Sequence, residues 1–146
     1  MIFQYLRSLQ GLITVSQVLV GVLCQLIIQF IWNSSGDIAL MFFITVYPFE
    51  TVVYFLLFGS TMVTLAVVIM ESRGSSLAET FGKFKVVLYR LISFLMMLGA
   101  AALQTYYVTT SSNSSYYFPR FIIGMILLYV LSLSHAFLTV LEIMRR

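Results

Sequence analysis

Charge is what this chain has least of. Only 9% of its 146 residues are Asp, Glu, Lys or Arg, against 61% hydrophobic. A soluble domain carries about 25% charged residues and 45–50% apolar ones. So few charges do not cover a water-facing surface, and the main solvent must be lipid. Cysteine is almost absent as well. Cys24 is the single thiol, which excludes an intrachain disulfide and any Cys-rich metal site. It falls in the middle of an apolar run, where a buried place is expected, away from the membrane edge that palmitoylation requires. Catalytic sets are missing too. His135 and Cys24 fall on different apolar runs with no third group to orient them, and there are no paired carboxylates, metal-ligand clusters or phosphate-cradling glycine loops. No enzymatic activity, cofactor or metal is expected. The net charge of +3 would suggest an acidic partner in a soluble protein. Here the basic residues flank apolar runs, where they set topology and meet anionic headgroups rather than nucleic acid.

What is present is a succession of long apolar runs. A spanning helix needs about 20 such residues. The candidates are Leu9 to Ile31, a second span ending at Met70, Phe84 to Val108, and Pro119 to Leu141. Trp32 and the Tyr106–Tyr107 and Tyr116–Tyr117 pairs sit at span ends, as interfacial aromatics do. The second span starts either at Phe49, after an apolar collar, or at Ile38, as one long helix capped by Asp37 and bent at Pro48. The longer version is the expectation. The first run is too long for a signal-peptide core and no small-x-small cleavage site follows it, so it is a retained span. Residues 1–146 form a single four-span domain, an all-α antiparallel bundle, with no soluble domain at either end. Ser76-Leu77-Ala78-Glu79, in the polar segment Glu71 to Lys83, has a capping-box pattern and predicts a short helical turn.

Orientation follows from the basic residues. With the N-terminus inside, Arg7, Arg73, Lys83, Lys85, Arg90, Arg145 and Arg146 are cytosolic and only Arg120 is outside, a clear positive-inside bias. The sequons Asn33-Ser34-Ser35 and Asn113-Ser114-Ser115 then fall on the outer side, as candidate glycosylation sites.

Inside the spans, small and polar residues recur at helical spacing. Gly11, Thr14, Val18, Gly21 and Gln25 share a face of the first span. The second carries Gly59, Ser60, Thr64 and Ala66. The third has Ser93, Gly99, Ala100, Ala101, Ala102 and Gln104, and the fourth Gly124, Ser132, His135, Thr139 and Glu142. Such residues predict a packed seam with hydrogen bonds across it. Its intramembrane polar members are Gln25, Gln104 and His135. Arg90 and Glu142 lie near the cytosolic face, Glu50 and Arg120 near the outer one, so each pair is placed to interact.

Several of these features together resemble the MARVEL-domain family of MAL, physin and occludin-type proteins. The start, Tyr5-Leu6-Arg7-Ser8-Leu9-Gln10-Gly11-Leu12, is similar to the family's entry into its first helix. Leu98-Gly99-Ala100-Ala101-Ala102 is similar to its alanine-rich third helix. Leu127-Leu128-Tyr129-Val130, with His135-Ala136-Phe137 and a basic tail, is similar to the fourth helix of the MAL group. The resemblance covers nearly the whole chain. It departs from members that carry outer-loop disulfides or long cytosolic tails. It implies organisation of membrane in vesicle trafficking, in apposition and fusion, or at cell contacts, with membrane lipids and other membrane proteins or further copies as partners, at the plasma membrane or on secretory-pathway vesicles. Claudins, tetraspanins and glutathione-using membrane enzymes fit less well, lacking here their outer-loop cysteines or their Arg-rich glutathione motif. A small transporter or pore subunit built around His135 is the competing expectation.

The charge partition makes a direct prediction. A single cysteine placed in the Glu71–Lys83 loop of a Cys24→Ser chain should react with an impermeant thiol reagent only after sealed, right-side-out vesicles are opened. Labelling from the intact outer surface would overturn the topology.

Overall fold

A computed structural model describes residues 2–32, 38–40, 47–110 and 118–145. The sequons at Asn33 and Asn113, the Asp37 cap and the Tyr116–Tyr117 pair lie outside those residues. In chain order the elements are α1 (Ile2–Arg7), α2 (Leu9–Gln29), β1 (Phe30–Trp32), β2 (Ile38–Leu40), α3 (Phe49–Ser72), α4 (Leu77–Phe81), α5 (Lys83–Thr110) and α6 (Phe118–Met144). Helices α2, α3, α5 and α6, of 21, 24, 28 and 27 residues, are each long and apolar enough to cross a membrane. At helical rise they measure about 30–40 Å, which matches a hydrocarbon core of about 30 Å. The chain is therefore a multi-pass membrane protein, all-helical among the described residues apart from one short strand pair.

The second span begins later than expected. No helix starts at Ile38. Ile38–Leu40 instead forms β2, paired antiparallel with β1 in the register Phe30↔Leu40, Ile31↔Ala39 and Trp32↔Ile38. The helix starts at Phe49, with Pro48 at its N-cap. Proline explains the boundary. It has no N–H for a preceding turn, and it pushes the residue before it away from helical dihedrals. The Glu50 N–H bonds the Tyr47 carbonyl at 3.1 Å instead of a deeper helical partner. At the other end of α3, Gly74 and Gly82, both at positive φ (90° and 84°), turn the chain into α4 and out of it. Helix α4 occupies the expected capping-box segment, although its N-cap Ser76 makes no side-chain cap bond.

The spanning helices close a ring. α2 packs on α3 and α6, α5 packs on α3 and α6, and the α5–α6 contact is the largest. Polarity is reversed relative to a soluble protein. The buried face of α2 consists of Gly11, Thr14, Gln17, Gly21, Cys24, Gln25, Ile28 and Gln29. Leu19 on α2, Phe55 on α3, Leu95 on α5 and Leu133 on α6 stand more than half exposed. Apolar side chains thus face outward, and the interior holds small and polar ones around an apolar centre of Cys24, Ile28, Leu57, Ala100 and Leu128.

The glycines divide by face. A side chain at Gly21 would come within 2.5 Å of the Thr61 hydroxyl on α3, and one at Gly124 would collide with Ile28 on α2. Gly11 sits against the Tyr5 carbonyl, at the elbow between α1 and α2. Ala100 is fully buried. Gly59 and Gly99 correct the seam expectation, because nothing lies within 4 Å of either added side chain. Ala66 and Ala102 are exposed as well. Small residues also occur on the outward faces, where lipid accepts any apolar group.

Gly21→Leu should therefore lower folded yield in detergent, by an overpacking cost of roughly 1–3 kcal/mol. Gly59→Leu should behave as wild type. Equal yields for the two variants in size-exclusion chromatography would contradict this division of faces.

Candidate functional site

The interior polar groups gather at two levels. At one, the last turn of α2, the first turn of α3, the end of α5 and the start of α6 come together. Glu50, Gln29 and Gln104 are all fully buried there. The Gln29 Nε2 donates to Glu50 Oε2 at 3.3 Å. The Gln104 amide stands beside the same carboxyl without closing a hydrogen bond of its own. Glu50 is also well placed for its own helix, since a carboxyl in the first turn faces the positive end of the dipole. The first N–H of α3, on Phe49, donates to the Tyr107 hydroxyl at 2.6 Å, so α5 caps α3 from the side. Tyr47, Tyr107 and Phe121 close this level with mutual ring contacts at 5.1–5.6 Å.

Arg120 has a different partner from the one anticipated. Its Nη1 donates to the carbonyls of Phe30 (2.6 Å) and Ile27 (3.2 Å). These belong to the end of α2, where helical carbonyls have no intrahelical donor and a cation complements the dipole. Glu50 turns inward to amides instead.

The second level lies toward the opposite ends of the helices. Arg90, His135 and Glu142 are buried there, each with 3% exposure or less. Among the described residues no ion pair joins Arg90 to Glu142. Among the described residues, Arg90 Nε and Nη2, His135 Nδ1 and Ser132 Oγ all lack hydrogen-bond partners. At the depth of Ser132 and His135, Gln17 Nε2 donates to Ser134 Oγ at 2.9 Å and ties α2 to α6. Thr14, Thr64, Thr105 and Thr139 return their hydroxyls to the carbonyl four residues earlier, which satisfies them within their own helices. Outside the spans, Tyr5 on α1 lies beside Glu71 and Thr14, and burial raises its phenol above the ordinary value. Lys83 donates to the carbonyls of Ile143 and Arg145, tying the start of α5 to the end of α6.

Of the expected polar residues, Gln104 joins the Glu50 level and His135 the Arg90 level. Gln25 is buried with its Nε2 unpartnered. Gln17 and Gln29 were not anticipated. The signal for them was available, because Gln17, Gly21, Gln25 and Gln29 recur every fourth residue along one face of α2. Among the described residues, no group of three or more His, Cys, Asp or Glu side chains is placed to hold a metal. Chemically, the first level offers a carboxyl among amides, which suits cross-helix hydrogen bonding. The second offers a guanidinium beside an imidazole.

No family model matches the chain, and no curated protein or solved structure matches it.

The Glu50 level predicts an order of stabilities. Glu50→Gln preserves an acceptor for Gln29, whereas Glu50→Leu leaves that buried amide unpaired, at a cost of about 1–3 kcal/mol. In detergent, the midpoint of thermal unfolding should fall markedly for Glu50→Leu and little for Glu50→Gln. A fall as large for Glu50→Gln as for Glu50→Leu would mean that the negative charge itself is required.

Proposed function

We propose that this chain is a non-enzymatic membrane organiser of the MARVEL type. Successive spans run antiparallel, and both termini and the Glu71–Lys83 loop are cytosolic. It works at the plasma membrane or on secretory-pathway vesicles, in trafficking, membrane apposition and fusion, or cell-contact organisation. Its working part is its outer surface, through contacts with lipid and with other membrane helices.

The observation that carries this reading is the distribution of side chains. Apolar residues cover the outward faces, and the interior is filled by small residues and amides that bond across helices. Chemistry on a soluble substrate needs a cleft with convergent polar groups. Among the described residues, cavities at α3–α4–α5 and at α2–α6 lie on the flanks of the bundle, a third lined by Tyr5, Gln10, Glu71 and Arg145 lies at the end of the bundle, and His135 lines none of them. The resemblance in the first, third and fourth spans supplies the family. The partition of basic residues supplies the orientation.

One observation favours the competing transporter. The buried Arg90 and His135 carry unpartnered nitrogens on facing helices, and ionisable groups at membrane depth often mark transport pathways. The two readings differ in what His135 must do. A structural imidazole stays neutral and keeps one hydrogen bond, which an amide can imitate. A relay imidazole must change charge in each cycle, and no amide does that.

His135→Gln should therefore rescue the phenotype of cells lacking the protein as well as wild type does. His135→Leu should rescue slightly less well, through loss of a polar group beside the buried Arg90. The companion measurement is proton flux in proteoliposomes under a pH gradient. Wild-type flux that vanishes in His135→Gln would replace the organiser with the transporter.

A further inference from the structure

One flank of the bundle holds a groove that neither polar level uses. It opens between α3, α4 and the first turns of α5 and encloses about 400 Å³, within the range of roughly 300–1,000 Å³ typical of small-ligand sites. Its floor is the buried apolar cluster of Val67, Leu77 and Val86. Val63 and Phe81, about half exposed, stand at its open side. The stem of Lys85 lines the same wall, and the residue is exposed, so its ammonium sits at the mouth.

Among the described residues that line the groove, Lys85 is the one that carries a charge. Lys83 is occupied by the carbonyls at the end of α6, whereas among the described residues no hydrogen bond or ion pair holds Lys85. No acidic residue occurs in the first turn of α5. Glu71 turns toward Tyr5, and Glu79 of α4 does not line the groove. The result is an apolar slot with one free cation at its entrance, at the depth where α3 gives way to the polar loop.

We propose that this groove holds an acyl chain of an anionic glycerophospholipid from the bilayer, with the net negative charge of its headgroup paired to Lys85. The slot is too apolar for a soluble anion and is capped by a cation that a neutral lipid does not need. The preference for an anionic headgroup rests on the proposed cytosolic placement of this loop, because that leaflet carries the anionic lipids. The groove itself does not depend on that placement.

The test uses the full chain carrying Trp32→Phe and Phe81→Trp, so that the only indole stands at the groove. The chain is reconstituted in phosphatidylcholine vesicles containing either brominated phosphatidylserine or brominated phosphatidylcholine in both leaflets. Brominated phosphatidylserine should quench at a mole fraction roughly five-fold lower, the effect of one lysine near an anionic lipid surface. Lys85→Gln should equalise the two lipids. Ala66→Phe, which fills the groove from an exposed position, should weaken quenching by both. Equal quenching by the two lipids in the reporter chain, or a preference that survives Lys85→Gln, overturns the proposal. So does displacement of the preference by free inorganic phosphate, or a copurifying polypeptide that shields the indole from both lipids. Both leaflets carry the probe, so an inverted topology would leave these outcomes unchanged and would show only in the thiol-labelling experiment.

Discussion

Lipid removes the ordinary reason for helices to associate. A leucine gains nothing by leaving hydrocarbon for a leucine-lined interface, so the hydrophobic effect that builds soluble cores is absent between spans. Helices in this chain must be held by what lipid cannot offer, namely close backbone approach and hydrogen-bond partners. That constraint explains the inverted arrangement of the bundle. Gly21 opposes Thr61 and Gly124 opposes Ile28, each without room for a further carbon. Gln17 finds Ser134, and Gln29 finds Glu50, on other helices. Leu19, Phe55 and Leu133 are left to lipid.

The same absence of water governs the helix ends. A helix leaves orphan N–H groups at one end and orphan carbonyls at the other, and near a membrane these need partners from the protein. Arg120 on α6 serves the carbonyls at the end of α2. Tyr107 on α5 serves the first N–H of α3. Ser8 accepts the Gly11 N–H at the start of α2 at 3.0 Å. Two of these three caps come from a different helix, so satisfying an end also fixes its neighbour. This is why Arg120 does not pair with Glu50. The orphan carbonyls at the end of α2 have few other donors within reach, whereas the buried Glu50 carboxyl already accepts from Gln29.

The spans themselves are visible in the sequence, because a run of about 20 apolar residues is a one-dimensional signal with few alternatives. The face of each span is harder to read. In water, apolar residues mark the buried side. In lipid they mark neither side, so only polar residues carry the information. On α6 the polar stripe of Ser132, His135, Thr139 and Glu142 is long, and all four residues are buried. On α3 and α5 the small residues Gly59 and Gly99 carry no polarity, and their spacing alone did not separate an outward face from an inward one. The strand pair was hidden for another reason. Three-residue strands are too short to show a period of two, and the apolar run after Asp37 suits a helix equally well. What decides Ile38–Leu40 is a partner, Phe30–Trp32, some eight residues earlier in the chain. Arg120 was read by charge alone, and its true partners are backbone atoms that composition does not display.

Depth is the remaining constraint that the polar contacts resolve. Apolar helices sliding past one another in lipid exchange one leucine contact for an equivalent one, so packing alone defines register weakly. Hydrogen bonds at separate levels define it well. Gln17–Ser134 ties α2 to α6 somewhat before the middle of α2, and Gln29–Glu50 ties α2 to α3 at its last residue. A slip of α2 by one turn, about 5.4 Å, breaks both contacts together and carries Gly21 away from Thr61. It also pulls the end of α2 off Arg120. Buried amides are expensive to leave unpaired in hydrocarbon, so these few contacts set the vertical position of α2 more sharply than its many apolar ones. A bundle fixed in this way presents a constant outer surface to the membrane, and the proposed surface-acting role requires that constancy more than it requires a cleft.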